Sequence, residues 1–173
     1  NGSSDNCAIA SLSLSQTAGD LAAVLPRLKG LRALVLNRVT LPPDVSFESF
    51  GALRTLTLGH VPVQAVSLRG CAALASLDVD WTPVRTLDLT GCAALAELRM
   101  HACREIREIK GLASLVSLRL LVADYCIPDW MPTAPVPALT ALKTLTLSSY
   151  DSAEAARIAH FPAVERLTVR NSI

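Results

Sequence analysis

Apolar residues recur along this chain in the form L-x-x-L-x-L, and the pattern returns about every 21 residues. With the first apolar residue of each occurrence as position one, the origins are Ile9, Leu31, Leu53, Leu74, Leu95, Leu115, Leu142 and Val164. Their spacings are 22, 22, 21, 21, 20, 27 and 22 residues. Positions four and six are apolar in every occurrence, from Leu12 and Leu14 to Leu167 and Val169. Alternation across these positions has the period of two that a half-buried strand requires. Each occurrence therefore predicts one short strand. The fixed period predicts coils that stack, because a single coil cannot bury its own apolar edge.

The repeat is clearest over residues 63–103, where VQAVSLRGCAALASLDVDWTP is followed by VRTLDLTGCAALAELRMHAC. Here the return half of each coil carries a second strand-like pattern: Val63-Val66-Leu68, Val84-Leu87-Leu89 and a shortened Ile106-Ile109. Gly70, Gly91 and Gly111 each stand four residues before an origin and suit a turn with positive φ. Elsewhere the return half reads as helical turns, one over 25–31 and the most helix-like over 152–161, with Ser152 as N-cap. Three residues before each origin runs another apolar column: Leu28, Phe50, Cys71, Cys92, Leu112, Leu139 and Phe161. Cys71 and Cys92 thus read as small buried hydrophobes, as does Cys103 at position nine. Cys7 and Cys126 fall outside the columns and are expected to be the exposed thiols. The spacing of 27 reads as an insertion over 121–141, in which Trp130 stands among Pro128, Pro132, Pro135 and Pro137.

The whole chain resembles the leucine-rich-repeat proteins. Its half-repeats with G-C-x-x-L are similar to the 21–22-residue repeats of internalin-like and BspA-like surface proteins and of cysteine-bearing protozoan proteins. The resemblance implies an α/β repeat fold: a right-handed solenoid with a parallel sheet on its concave face and short strands and helices on the convex side. The departure is at position nine, where the usual asparagine ladder is replaced by Thr17, Val39, Val61, Thr82, Cys103, Ala123, Tyr150 and Ser172. Residues 1–8 form a polar tail and 9–173 a single repeat domain of about eight coils. So few residues before Ile9 and after Val169 cannot cap a core. The chain therefore reads as a module of a longer protein, or one that pairs end to end through uncapped termini.

Composition narrows the function. The net charge is +1, which gives no global attraction to nucleic acid or anionic membranes. No apolar run approaches the ~18 residues of a membrane span. The absence of cysteine-rich caps points toward an intracellular setting. In a strand of this kind, positions three, five, seven and eight face solvent. The central rows contribute Arg38 from the second coil, His60 from the third, and Asp78, Asp80 and Trp81 from the fourth. Glu97, Arg99 and His101 come from the fifth and Arg119 from the sixth. Strands stacked ~4.8 Å apart would make these one patch. An exposed tryptophan among arginines is a common composition for a protein-binding hot spot. The alternative is that Trp81 folds over the return strand as packing. Trp130 in the insertion is a second candidate contact, or a plug for an enlarged coil.

His60, Asp80 and His101 could also converge on a metal. No nucleophile–base pair is evident, however, and a flat sheet face offers no water-excluding pocket, so catalysis and a cofactor are not expected. The expected function is protein–protein recognition. The competing readings are a structural spacer or regulatory arm, and a substrate-recognition module for a catalytic domain elsewhere in the polypeptide.

Overall fold

Among the described residues twelve strands follow in chain order, and every pairing between them is parallel. The computed structural model describes residues 9–17, 21–126, 128–148 and 156–170. Eight strands form the large sheet: β1 (Ser11–Ser15), β2 (Ala33–Asn37), β4 (Thr55–Gly59), β6 (Ser76–Asp80), β8 (Glu97–His101), β10 (Leu120–Asp124), β11 (Thr144–Ser148) and β12 (Arg166–Arg170). The return halves of coils two to five supply a second sheet: β3 (Asp44–Ser46), β5 (Ala65–Ser67), β7 (Thr86–Asp88) and β9 (Glu108–Lys110). The result is a parallel-strand solenoid of stacked leucine-rich coils.

Equivalent positions lie directly above one another, as in Leu56 beside Leu77 and Leu77 beside Leu98. The inward positions of the two sheets meet in one continuous core. Leu74, Leu77 and Val79 from β6 and its approach, and Val84, Leu87 and Leu89 from the return side, are all fully buried. Burying each such leucine contributes ~1.5–3 kcal/mol, so each additional coil stabilises its neighbour. At the far end the columns meet solvent. Leu167 and Val169 of β12 are 44% and 49% exposed.

The sixth coil departs from the expected register. Leu121 pairs with Leu98, and Ala123 with Met100, so the origin is Leu118 rather than Leu115. The spacings on either side become 23 and 24, and no single long insertion remains. Arg119 accordingly lies at position two, where its N–H donates to the Ala96 carbonyl, and it does not stand in the outward rows at positions three to eight. The outward residues of this coil are Leu120, Val122, Asp124 and Tyr125.

Two further expectations are corrected. The convex side is not built of helices: apart from the four-residue α1 (Leu21–Val24) and the α-helical Ala156, its helical turns among the described residues are short 3-10 segments. Of the helix expected over 152–161, residues 152–155 lie outside the described residues, Ala156 is α-helical, and Arg157–His160 continues as a 3-10 turn. Trp130 is not offered to a partner. It follows Pro128 and Asp129 in a 3-10 turn, and its ring is buried beside Met131 in the core, with Asp129 paired to Arg107 of the preceding coil.

Gly70, Gly91 and Gly111 do adopt positive φ, at 78°, 86° and 78°. At Gly111 the need is steric as well, since a Cβ would stand 2.6 Å from the Thr90 backbone nitrogen.

Candidate functional site

The first six coils turn out of the large sheet at position eight. Gln16, Arg38, His60, Trp81, Ala102 and Tyr125 all occupy the left-handed region there, with φ between 48° and 53°. This conformation costs an L-residue ~1–2 kcal/mol. The offset is regular: the N–H of Arg38 donates to Gly59 O at 2.9 Å, that of His60 to Asp80 O at 2.8 Å and that of Trp81 to His101 O at 2.9 Å. The consequence is a row of side chains set along one rim of the sheet.

Position nine fastens the coil behind that rim. The Thr82 hydroxyl donates to Asp80 O at 3.0 Å and reaches Leu58 O at 3.5 Å. Cys103 Sγ repeats the arrangement with Val79 O and His101 O, and Cys126 Sγ repeats it with Met100 O and Asp124 O. A buried ladder of hydroxyl and thiols thus stands where asparagine is usual. Cys126 belongs to this ladder and is buried, contrary to the expected exposed thiol; Cys7 lies outside the described residues. On the return side, Cys71 and Cys92 donate in the same way to Phe47 O and Leu68 O. Burial pushes the Cys92 thiol up to about 12 and also raises that of Cys71.

The rim carries four rings in unbroken succession. His60 stacks on Trp81 with centroids 5.9 Å apart and planes 10° from parallel. Trp81 meets His101 at 6.3 Å, and His101 meets Tyr125 edge-on at 5.3 Å. Trp81 is 52% exposed, so it does not fold over the return strand. It also lines a shallow depression of about 210 Å³ with Thr82, Pro83, Ala102, Arg104 and Glu105. Arg38 is exposed next to His60 in the same row. Because Trp81 lies between His60 and His101, these histidines do not converge with Asp80 on a metal site.

Inside the rim, the outer face of the large sheet holds a depression of about 420 Å³ lined by residues of six strands, from Val35 and Asn37 to Arg170. At one end Asp124 is almost fully buried as an ionic hub. It accepts hydrogen bonds from Arg170 at 2.7 Å and from the Ser148 hydroxyl at 3.0 Å, and His101 Nδ1 lies 3.7 Å away. Ser148 in turn accepts the Tyr125 N–H, tying the last ring of the row to the hub. At the centre, Arg99 is paired with Glu97 on its own strand. Asp78 and Asp80 differ from both groups. Neither carboxylate has a hydrogen-bond or ion-pair partner among the described residues, and Asp80 Oδ1 is buried without one. Desolvation, and then repulsion from Asp80, raises the Asp78 carboxyl above its ordinary value, against smaller pulls from Arg99 and His101.

The structure therefore brings Arg38, His60, Asp78, Asp80, Trp81, Glu97, Arg99 and His101 together on one face and rim. It removes Arg119 and Trp130, and it adds Tyr125, Asp124 and Arg170. The sequence signal for Tyr125 and Asp124 was the second L-x-x-L frame, Leu118-Leu121, which overlaps the one first read.

No family model and no curated protein matches this chain. Among solved structures, it is similar to an internalin (inlF) from Listeria monocytogenes at 14% identity and a TM-score of 0.46, over 86% of this chain and 52% of that one. The chain thus spans about half the length of that internalin chain. Among the described residues no group of three or more His, Cys, Asp or Glu could hold a metal ion, and no helix is long and apolar enough to cross a membrane.

Proposed function

We propose that this chain is a leucine-rich-repeat module that recognises a protein partner across the outer face and rim of its large sheet. The observation that carries the reading is the row His60–Trp81–His101–Tyr125. These are contiguous, exposed aromatic rings held by a regular, hydrogen-bonded backbone. Rings on a rigid frame lose little conformational entropy on binding, and tryptophan and tyrosine dominate binding hot spots.

Position eight makes the test clean. Ala102 already adopts the left-handed conformation there, so Trp81→Ala and His60→Ala leave the backbone undisturbed. The experiment is affinity recovery from a lysate of the source, comparing the wild type with the Trp81→Ala/His60→Ala variant. Loss of a hot spot of ~2 kcal/mol or more weakens a partner at least ~30-fold. The variant should lose specific partners while its Tm stays within ~2 °C of the wild type. Equal recovery from both proteins would reject the reading, and a large fall in Tm would reassign Trp81 to packing.

A further inference from the structure

The groove beside the aromatic rim has an uneven charge balance. Three carboxylates line it, from Asp78, Asp80 and Asp124, against two guanidiniums, from Arg99 and Arg170. Arg170 is bound to Asp124, and Arg99 is bound to Glu97 at the groove's edge. Arg99 and His101 stand beside Asp78 and Asp80 on β8, but Arg99 pairs with Glu97 and its pull on Asp78 is the smaller effect, so the anionic surplus rests on Asp78 and Asp80. Overall the protein is nearly neutral, so this surplus is local.

The surroundings of the two aspartates are also open. They are two residues apart on β6, on the same face, so their Cβ atoms lie ~6.7 Å apart. A guanidinium can bridge carboxylates at that spacing. The next strand places Thr57 beside Asp78 and Gly59 beside Asp80. Gly59 leaves the floor bare on that side, and the Asn37 side chain stands over it, 3.4 Å from where a Cβ would be. Asp78 and Asp80 thus share a notch in which Asp80 Oδ1 has no donor among the described residues. A buried acceptor without a donor costs ~1–3 kcal/mol, and none of the described residues donates to this one. Trp81 directly follows Asp80, so a segment crossing the rim meets ring and carboxylates within one residue.

We propose that the partner presents a basic side chain, arginine or lysine, to the Asp78–Asp80 notch, with its flanking residues against the Trp81 rim. This rests on the recognition reading above and specifies the chemistry of what is recognised. The surplus negative charge requires a cation, and the paired spacing on an open floor favours a side chain with several N–H donors. The ring wall suits its aliphatic stem.

The test uses two probes, Ac-Leu-Arg-Leu-amide and its citrulline counterpart, which keeps the shape and loses the charge. Each is titrated into the 15N-labelled chain and followed at the backbone amides of residues 57–59 and 76–81. Charge-assisted bonds imply that the arginine probe binds at least about tenfold more tightly than citrulline. That preference should vanish in Asp78→Asn/Asp80→Asn, a variant that removes like-charge repulsion and should fold at least as well as the wild type. Equal affinities for the two probes, no shift at these amides, or a preference that survives in the variant would each overturn the proposal.

Lysate recovery separates the two levels. Partners lost by Trp81→Ala/His60→Ala but kept by Asp78→Asn/Asp80→Asn leave the recognition reading standing and refute the basic anchor. Partners lost by both variants support both statements. Partners kept by both refute both.

Discussion

The position-nine ladder should be energetically necessary, and Thr82→Val measures it. Thr82 is almost completely buried, and its single hydroxyl proton is shared between the Asp80 carbonyl at 3.0 Å and the Leu58 carbonyl at 3.5 Å. Valine has nearly the same shape and no donor. The Asp80 carbonyl still receives the His60 N–H, so the principal loss is the bond toward Leu58. Leaving an inward-facing carbonyl short of a donor costs ~1–3 kcal/mol, reduced by the long 3.5 Å contact to about 1–2 kcal/mol. For a chain of this length that is a fall in Tm of ~2–8 °C. Thr82→Cys installs the residue that the next two coils already use and should cost less than half as much. The assay is urea unfolding followed by circular dichroism, with thermal melts alongside. A Thr82→Val protein as stable as the wild type, or a Thr82→Cys protein that is the worse of the two, would refute the ladder as a source of stability.

Other outcomes follow from the same geometry. Because the folded state raises the Asp78 carboxyl, it holds that proton more readily than the unfolded chain does. Its contribution is therefore favourable at low pH and is lost as pH rises through the raised value. Asp78→Asn should accordingly be more stable than the wild type at pH 7, with the advantage disappearing below the ordinary carboxylate range; pH-dependent melts check this. Leu77→Ala, in the centre of the core, should cost about 2–5 kcal/mol in chemical denaturation. Gly111→Ala forces a Cβ into the Thr90 backbone and should lower the Tm more than Gly51→Ala, where nothing lies within 4 Å. Iodoacetamide mapped by mass spectrometry should spare Cys71, Cys92, Cys103 and Cys126 in the native state and label all four in urea.

Much of this fold was legible because leucine spacing and burial are the same fact in a stacked coil. Leu34, Leu56, Leu77 and Leu98 repeat in the sequence and pair side by side in space. The return strands were equally visible, since Val66 and Leu87 alternate with polar neighbours. The sixth coil was misread because the stretch LASLVSLRLLVAD carries two overlapping frames. Leu115-Leu118-Leu120 matches the pattern better than Leu118-Leu121-Ala123. The decision belongs to neighbouring strands, which need Leu121 beside Leu98, and a short alanine at position six is tolerated. That error displaced Arg119 into the site and hid Tyr125, Asp124 and the place of Cys126 in the ladder. The left-handed column had no sequence signal, because glycine and asparagine, the usual markers, are absent from its six described positions.

That column also governs which surface changes the protein can accept. At positive φ a branch at Cβ clashes with the backbone and a proline ring cannot be accommodated, so valine, isoleucine, threonine and proline are excluded from the rim. Glutamine, arginine, histidine, tryptophan, alanine and tyrosine are already accommodated there by one and the same backbone. The rim can therefore exchange its chemistry coil by coil while the leucine columns behind it stay constant. A combinatorial library confined to Arg38, His60, Trp81 and Tyr125, drawn from unbranched residues, would vary specificity while leaving the fold's own determinants untouched.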